Sequence, residues 1–249
     1  MSGKPRILCL HGGGVSAKIF EMQMRYFLKS LGDNFRLVFA DGPWPCDMHE
    51  DLIPVYSNMG PCYRWANWKP HHSAIDESTA VTEIESTLTK AMAKDEGTGE
   101  WVGLLGFSQG AGLSFSILLE NQRRLQEDHW AEAYTGVFWK FGIIMAGRAP
   151  PQSLSPHTRN NHNYKNIAQL SQWQESESLF DSSRPILRIP TLHVHGLEDP
   201  GLDLHRKLSE YFASPENSKV VEWDGPHRIP FKRADIAKIT EAILEVAKV

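Results

Sequence analysis

Short, almost continuous apolar runs recur along the chain and are separated by longer stretches of mixed polarity. Continuous apolarity, rather than strict alternation, is typical of strands that are buried on both faces of a parallel sheet. The runs that meet this description are 6–10, 36–40, 101–105, 141–145, 191–194 and 220–223. We therefore predict one buried strand for each of these runs.

Several of the stretches between the runs carry apolar residues three and four positions apart, a spacing that places them on one face of a helix. These sets are Ile19, Met22, Tyr26 and Phe27; Val81, Ile84, Leu88, Ala91 and Met92; Leu204, Leu208, Tyr211 and Phe212; and Ile236, Ile239, Ile243 and Val246. Strands that alternate with helices predict an α/β fold, with a mostly parallel central sheet of about six strands and helices on both faces. A chain of 249 residues is within the range of one such domain, so we predict a single domain over 1–249.

Two long excursions interrupt this alternation, at 42–74 and 150–183. The first is rich in Pro and Trp; the second is rich in Ser, Asn, Gln and His, and we expect a short helix around 167–173 within it. Both follow the C-terminal end of a strand, where open α/β sheets bind their ligands. Long excursions at that edge predict lid-like or substrate-binding segments, and a surface loop without such a role is the alternative.

Charge and composition exclude several classes of partner. The net charge of −4 means that the chain has no excess of basic residues to bind phosphates, so nucleic acid is not an expected partner. No apolar run reaches the roughly 18 residues that span a bilayer, and the start of the sequence has too short an apolar stretch for a signal peptide, so we expect no membrane partner. The three cysteines, Cys9, Cys46 and Cys62, lack CxxC spacing and predict free thiols in a reducing, cytoplasmic compartment.

The strongest local motif is Gly-Phe-Ser-Gln-Gly at 106–110, directly after the run 101–105 and before an apolar helical stretch. This is the G-x-S-x-G nucleophile elbow in its strand–turn–helix context. Glycines on either side of the serine let neighbouring chain pass close to a strained turn, and the serine hydroxyl then stands clear of the sheet. We predict Ser108 as a catalytic nucleophile, with a serine in a purely structural turn as the alternative.

A serine hydroxyl is a weak nucleophile and needs an adjacent base, which an acid orients. In this type of fold the acid and the histidine follow the serine in that order. His227 stands in a turn after the run 220–223, and Asp199 stands in the loop after the run 191–194. We predict these two as base and acid; Glu198 and Asp203 are rival acids, Asp224 lies too close to His227 in sequence to orient it well, and His195 is expected to be structural.

Acyl transfer also needs donors for a tetrahedral oxyanion, and these are commonly backbone amides. The residue after the nucleophile, Gln109, is expected to supply one amide. The loop after the first run, His-Gly-Gly-Gly at 11–14, is expected to supply the other from Gly13, with Gly14 as second choice. A nucleotide phosphate loop is the rival interpretation of these glycines, but the sequence lacks both the G-x-G-x-x-G spacing and the Gly-Lys-Ser/Thr ending.

The first excursion contains two further groups of side chains. One is acidic and histidine-rich but has no HExxH or comparable spacing, so we expect a solvated loop and no metal or cofactor; it comprises Asp47, His49, Glu50, Asp51, His71 and His72. The other is aromatic and would either wall an apolar acyl pocket or anchor the loop; it comprises Trp44, Tyr63, Trp65 and Trp68.

Several motifs together resemble one known family, the FSH-type "family of serine hydrolases" of α/β-hydrolases, and the likeness extends over almost the whole chain. They are ILCLHGGGVSAKIFEMQM at 7–24, LVFADGPWP at 37–45, GPCYRWANW at 60–68, LLGFSQGAGL at 104–113, HVHGLEDP at 193–200 and DGPHRIP at 224–230. The stretch 150–183 matches least. The resemblance implies an α/β-hydrolase core that lacks some of the usual early strands and a triad of Ser108, Asp199 and His227.

The resemblance also narrows the function. Similar fungal proteins, of the lovastatin-pathway thioesterase type, act in secondary-metabolite biosynthesis. They take a polyketide acyl chain from a carrier domain and release it by hydrolysis, or by lactonisation when a hydroxyl of the substrate attacks. Other members are carboxylesterases on short or medium acyl esters. A polyketide-releasing thioesterase is thus the expected function; a carboxylesterase and a non-catalytic binding member of the fold are the alternatives.

Overall fold

The computed structural model describes residues 3–127, 132–172 and 183–248. The strands in these ranges are β1 (Arg6–Leu10), β2 (Arg36–Ala40), β3 (Trp44–Cys46), β4 (Cys62–Arg64), β5 (Trp101–Phe107), β6 (Phe141–Met145), β7 (Thr191–Gly196) and β8 (Ser218–Trp223). In the described part of the chain the main sheet has six strands in the order β2-β1-β5-β6-β7-β8. Every pair in it is parallel. The predicted α/β class and parallel sheet are therefore confirmed.

Helices cover both faces of this sheet. They are α1 (Ala17–Gln23), α2 (Arg25–Leu31), α3 (Ile53–Tyr56), α4 (Glu77–Lys94), α5 (Gln109–Glu127), α6 (Leu202–Phe212) and α7 (Arg233–Val246). The apolar sides of α1, α2 and α7 pack in one core cluster, and those of α4, α5 and α6 pack in a second. Strand β1 alternates between them: Ile7 and Cys9 lie in the first cluster, and Leu8 and Leu10 lie in the second.

The first predicted helix differs from the expected single face. The apolar set there begins as predicted with Ile19, which is buried, but Met22 and Tyr26 are 43% and 44% exposed. The buried face instead comprises Phe20, Met24, Phe27 and Leu31, which lie three and four positions apart, so Met22 and Tyr26 fall outside it. This face runs from α1 into α2, although the helix is interrupted at Met24, whose backbone ψ is 5°. None of the helices in the described ranges is long and apolar enough to cross a membrane.

The first excursion forms a small antiparallel hairpin of β3 and β4. Its strands are three residues long and β3 contains a proline, so neither strand has an apolar run from which it could be predicted. The hairpin is fastened to the loop after β1, because Gly14 N donates to Tyr63 O at 3.0 Å and Tyr63 N donates to Val15 O at 2.8 Å. The excursion is thereby attached directly beside the glycine loop.

The second excursion packs against α5 over the part that the structure describes. Gln152 N donates to Ser116 Oγ at 2.8 Å, and Ser155 Oγ donates to Glu120 Oε2 at 3.2 Å. A 3₁₀ turn at Ile167–Gln172 corresponds to the short helix expected around 167–173. Trp173, the last residue of that expectation, lies outside the described residues.

Candidate active site

Ser108 occupies a tight turn between β5 and α5, with a left-handed backbone φ of 54°. Its amide donates to Met145 O at 2.8 Å, which ties the turn to the end of β6. The flanking glycines are required by close packing: a Cβ at Gly106 would lie 2.2 Å from Gly110 O, and one at Gly110 would lie 2.2 Å from Leu10 O. The motif thus folds into the strained elbow that its sequence predicts.

Three predicted residues meet at the C-terminal edge of the sheet. Ser108 Oγ is 2.9 Å from His227 Nε2, and His227 Nδ1 is 2.5 Å from Asp199 Oδ2. The elbow follows β5, Asp199 follows β7 and His227 follows β8, so three parallel strands deliver the side chains to one point. Nδ1 donates to the carboxylate, which leaves the Nε2 lone pair free to accept the serine proton.

Asp199 is buried, and the balance of forces on it favours its charged form. Burial acts to raise the pKa of this carboxyl, but the hydrogen bond and charge of His227 and the Gly201 amide outweigh it, and the pKa lies below its usual value. The Gly201 amide donates to Asp199 Oδ1 at 2.8 Å. An ionised Asp199 can therefore hold the His227 ring and stabilise its protonated form.

The rival acids point elsewhere. Glu198 and Asp224 are exposed. The side chain of Asp203 is 76% exposed and pairs with Lys207 on its own helix at 2.6 Å. His195 is buried in β7, where burial lowers its pKa, and its Nδ1 is 3.8 Å from Glu222 Oε1.

The loop after β1, residues 11–14, is called the glycine loop and lies against the elbow at Ser108. A Cβ at Gly12 would stand 3.5 Å from Ser108 Cβ, and one at Gly13 would stand 3.0 Å from the Trp68 ring. The Gly14 amide is already donated to Tyr63 O. Gln109 is the first residue of α5, and the first amides of a helix have no acceptor within it. Among the amides considered, those of Gly13 and Gln109 therefore fit an oxyanion site better than that of Gly14.

His11, at the start of this loop, is a residue for which the sequence suggested no role. Its Nε2 accepts from Gly42 N at 2.9 Å and its Nδ1 donates to Gly12 O at 2.6 Å. Burial lowers the pKa of His11 to about 4, so the ring is neutral and both of its bonds persist at physiological pH. His11 thereby fixes the orientation of the Gly12 peptide next to Ser108.

The four aromatic residues of the first excursion have different surroundings. Trp65 is fully buried and its Nε1 donates to His11 O at 2.9 Å, which favours an anchoring role. Trp68 packs on Gly13 and lies edge-on to His72, with ring centres 4.5 Å apart. Trp44 and Tyr63 belong to the β3–β4 hairpin. Trp65 thus contacts the first residue of the glycine loop, and the ring of Trp68 lies against Gly13.

The Gln109 side chain connects the elbow to the same excursion. Its Oε1 accepts from the amides of Trp65 and Ala66 at 2.6 and 3.2 Å, and its Nε2 donates to Ala66 O at 3.2 Å. The sequence motif predicted a role only for the backbone amide of this residue. The side chain fixes the position of the chain that leads to Trp68.

A second histidine lies beside the triad carboxylate. His205, in the first turns of α6, is fully buried, and its Nδ1 is 3.9 Å from Asp199 Oδ2. Its ring centre is 6.3 Å from that of His227. Among the residues that the structure describes, neither ring nitrogen has a hydrogen-bond partner. Nothing in the sequence pattern pointed to this residue.

The acidic and histidine-rich group of the first excursion does not converge on one point. His71 Nε2 is 4.0 Å from Asp47 Oδ2, and these side chains are 63% and 88% exposed. In the described ranges, one group of three potential metal ligands has its donor atoms together, and it comprises Asp199, His205 and His227. Two surface clefts, of about 440 and 270 Å³, lie between β2 and α4 and beside α5, and none of their lining residues belongs to the Ser108 site.

Comparison with known proteins agrees with this geometry. The family described as "Serine hydrolase (FSH1)" matches residues 1–239. The esterase claE of Penicillium crustosum is 44% identical over 252 residues, which cover 98% of this chain and 93% of that protein. The esterase citA of Monascus ruber is 41% identical over 246 residues, which cover 98% of this chain and 92% of that protein.

A solved structure supports the fold independently of close sequence similarity. The acyl-protein thioesterase 2 of Zea mays superposes with a TM-score of 0.57 at 14% identity, covering 99% of this chain and 95% of its own. At this identity the likeness concerns the fold alone. With the family match over 1–239 and relatives at 44% and 41% identity, the chain belongs to the Serine hydrolase (FSH1) family and is a hydrolase enzyme of the α/β-hydrolase fold.

Proposed function

We propose that Ser108 is the nucleophile of an acyl-enzyme mechanism, with His227 as general base and Asp199 as the acid that orients it. The observation that carries this proposal is the unbroken hydrogen-bond chain from Ser108 Oγ through the His227 ring to Asp199, with distances of 2.9 and 2.5 Å. A serine at an elbow, a base within hydrogen-bond reach and a third group that orients the base are the parts that nucleophilic acyl transfer requires.

In the first step Ser108 Oγ attacks the carbonyl carbon of the substrate while its proton passes to His227 Nε2. The imidazolium that forms lies 2.5 Å from the Asp199 carboxylate, which stabilises it. The carbonyl oxygen becomes an oxyanion, and the backbone amides of Gln109 and Gly13 are the donors that we propose for it. The engagement of the Gly14 amide with Tyr63 O supports Gly13 over Gly14.

To complete acylation the leaving thiol or alcohol takes the proton from His227 Nε2 and departs, which leaves the acyl group on Ser108 Oγ. In the second half His227 accepts a proton from water, or from a hydroxyl of the acyl chain itself, as that oxygen attacks the acyl carbon. The bond between the acyl carbon and Ser108 Oγ then breaks as Oγ takes the proton back from His227, which releases an acid after attack by water and a lactone after attack by the internal hydroxyl. The same three side chains serve both halves.

For the substrate, we propose a polyketide acyl thioester carried by the acyl carrier domain of a polyketide synthase in secondary-metabolite biosynthesis. The motif resemblance supports this choice, and so does the first excursion, which brings Trp68 against Gly13 and can offer an apolar wall to an acyl chain. The free state of Cys9, Cys46 and Cys62 supports a reducing compartment, for which we propose the cytoplasm.

The second candidate is a carboxylesterase that acts on short or medium acyl esters without a carrier partner. The observation that favours it is the naming of the relatives at 44% and 41% identity as esterases. In both candidates the acyl-enzyme on Ser108 is the same, and the difference lies in the leaving group and the acyl chain.

Parallel kinetics separate the two candidates. The purified enzyme is offered p-nitrophenyl esters and phosphopantetheine-mimic thioesters of the same acyl chains, from acetyl to a reduced polyketide chain. A kcat/KM that rises with chain length and is higher for the thioester of each pair supports the carrier-dependent thioesterase. A kcat/KM that is highest for short oxygen esters contradicts it and favours the carboxylesterase.

A further inference from the structure

The side chain of His205 is unusual because it is completely buried and, within the described part of the chain, both of its ring nitrogens lack a hydrogen-bond partner. Burying a polar group without a partner costs free energy, so a ring with both nitrogens unpaired calls for an explanation, such as a bound water or ion. In this chain the orphan ring lies beside the triad carboxylate, with Nδ1 3.9 Å from Asp199 Oδ2. The acyl-enzyme mechanism described above makes no use of it.

Together with Asp199 and His227, this histidine forms a compact set of metal donors. One ligand atom of each residue lies within 4.8 Å of those of the other two. Two imidazole nitrogens and one carboxylate oxygen are donors that Zn²⁺ and neighbouring divalent transition ions prefer, and three protein ligands leave a fourth position for water.

Two of the three donor separations are close to those that a tetrahedral ion needs, and the third, between the two imidazole nitrogens, is at most 4.8 Å. Ligand atoms about 2.0–2.1 Å from such an ion are about 3.3 Å from one another. His227 Nδ1 is 2.5 Å and His205 Nδ1 is 3.9 Å from Asp199 Oδ2. The first separation has to widen and the second has to shrink, each by less than about one ångström, which is within reach of side-chain rotation.

The local backbone fixes two of the three donors relative to each other. Leu202 N donates to Asp199 O at 3.0 Å, and His205 N donates to Gly201 O at 3.1 Å, so the acid and the histidine are joined by the first turn of α6. His227 is on a separate loop, and its side chain is 22% exposed while that of Asp199 is 1% exposed. His227 is therefore the member of the set that lies nearest to solvent.

We propose that Asp199, His205 and His227 form an inhibitory binding site for a divalent transition cation of the Zn²⁺ type. The cation binds the lone pair of His227 Nδ1, so the proton that this atom carried is released and one is taken up at Nε2. A ring protonated at Nε2 donates to Ser108 Oγ and is unable to accept its proton. The inhibitory role rests on the proposed function of His227, whereas binding of the ion does not.

Binding is tested without reference to activity. Zn²⁺ is titrated calorimetrically into the folded enzyme, and Co²⁺ is titrated while its visible absorption is recorded, for the wild type, Ser108→Ala, His205→Gln and His205→Phe. Removing a residue that only hydrogen-bonds a metal ligand lowers metal affinity about 10–100-fold. Removing a ligand itself, as both His205 variants do, is therefore expected to weaken binding at least about tenfold. His205→Phe keeps the aromatic shape and serves if His205→Gln does not fold.

The matched controls are His193→Gln, which removes another buried histidine, and His157→Gln, which removes an exposed one. The proposal predicts one ion per chain for the wild type, for Ser108→Ala and for both controls, and weakened binding for both His205 variants. Absence of saturable binding at millimolar metal, or equal affinity in wild type and His205→Gln, would overturn it.

Inhibition is measured separately, as the rate at each Zn²⁺ concentration divided by the zinc-free rate of the same variant. We expect inhibition of the wild type that a chelator reverses, and at least about tenfold more Zn²⁺ for half-inhibition of His205→Gln. Binding without inhibition overturns the inhibitory role. If Ser108→Ala binds Co²⁺ like the wild type but retains hydrolysis, the proposed function fails while the metal site stands.

Discussion

The side chain of Gln109 holds the backbone of Ala66 from both sides, accepting from its amide and donating to its carbonyl, each at 3.2 Å. Gln109 begins the helix after Ser108, and Ala66 lies in the excursion that leads to Trp68. The same residue whose amide is proposed for the oxyanion thus also fixes the excursion beside the site. Replacement of this side chain is therefore expected to alter both the oxyanion site and the position of the first excursion.

Gln109→Ala tests this connection. The backbone amide remains, but the amides of Trp65 and Ala66 lose their acceptor, and leaving buried donors unpaired costs about 1–3 kcal/mol each. For the two amides together we expect the free energy of unfolding in urea to fall by about 2–6 kcal/mol, and kcat/KM for a long acyl chain to fall more than kcat/KM for an acetyl group.

Gln126→Ala makes the same replacement at an exposed position of the same helix and is the matched control. It should leave both quantities near the wild type. Equal stability of the two variants would show that the Gln109 side chain does not hold the excursion.

Gly13→Ala tests the glycine loop. The added Cβ would lie 3.0 Å from the Trp68 ring, so either the ring or the loop has to shift. Because displacement of an oxyanion donor costs about 10²–10³ in kcat, we expect a loss of about 10²-fold in kcat/KM. The double variant Gly13→Ala with Trp68→Leu relieves the contact and should recover part of this loss. Full activity in Gly13→Ala would argue against Gly13 as a donor.

Asp199→Asn tests the choice of acid. The neutral amide no longer favours the tautomer with the proton on Nδ1, and in the serine protease triad the same change lowers kcat by about 10⁴. We expect a loss of similar order, measured as kcat on the best ester. Glu198→Gln and Asp203→Asn remove exposed carboxylates from the same region and should stay within a few-fold of the wild type. A larger loss in either of these than in Asp199→Asn would assign the acid differently.

His193 supplies a pH dependence of stability. Burial lowers the pKa of this ring from its usual value of 6.5 to about 3. In the unfolded chain the ring is therefore protonated below about pH 6.5, whereas in the folded chain it stays neutral down to about pH 3. Acidification between these two pH values favours the unfolded chain, because that chain binds the additional proton. At pH 5 the loss from one such group is about 2 kcal/mol relative to pH 7.

The measurement is urea unfolding at pH 7 and pH 5 for the wild type and His193→Leu. The wild type should lose more stability on acidification than the variant, by about 1–2 kcal/mol. An equal loss in both proteins would mean that His193 is not held neutral by the fold. The comparison uses the pH-dependent difference, so a change in the variant's stability at pH 7 does not affect it.

The sheet could be predicted from the sequence because strands buried on both faces leave almost continuous apolar runs. The bounds of β1, β2 and β6 agree with the runs; β5 extends to Phe107, next to Ser108, and β7 extends to Gly196, three residues before Asp199. The meeting of Ser108, Asp199 and His227 could also be anticipated, because side chains that follow parallel strands arrive at one edge of the sheet.

Other features depend on contacts that a linear pattern does not carry. The break at Met24 separates two helices without a proline or glycine to mark it. The β3–β4 hairpin is held by backbone bonds to Gly14 and Val15, and its short strands have no apolar run. His205 differs from other polar helix residues in its burial against Asp199, which exists only once α6 is packed on the sheet.

The central claim is that Ser108 carries the acyl group. Intact-protein mass spectrometry after a short incubation with candidate acyl thioesters, and with a fluorophosphonate probe, tests it most directly. We expect one added acyl or phosphonyl mass on the wild type, located on the peptide that contains Ser108, and none on folded Ser108→Ala, whose rate of hydrolysis should fall by several orders of magnitude. Modification of Ser108→Ala at the wild-type rate, or hydrolysis by it at a near wild-type rate, would contradict the account.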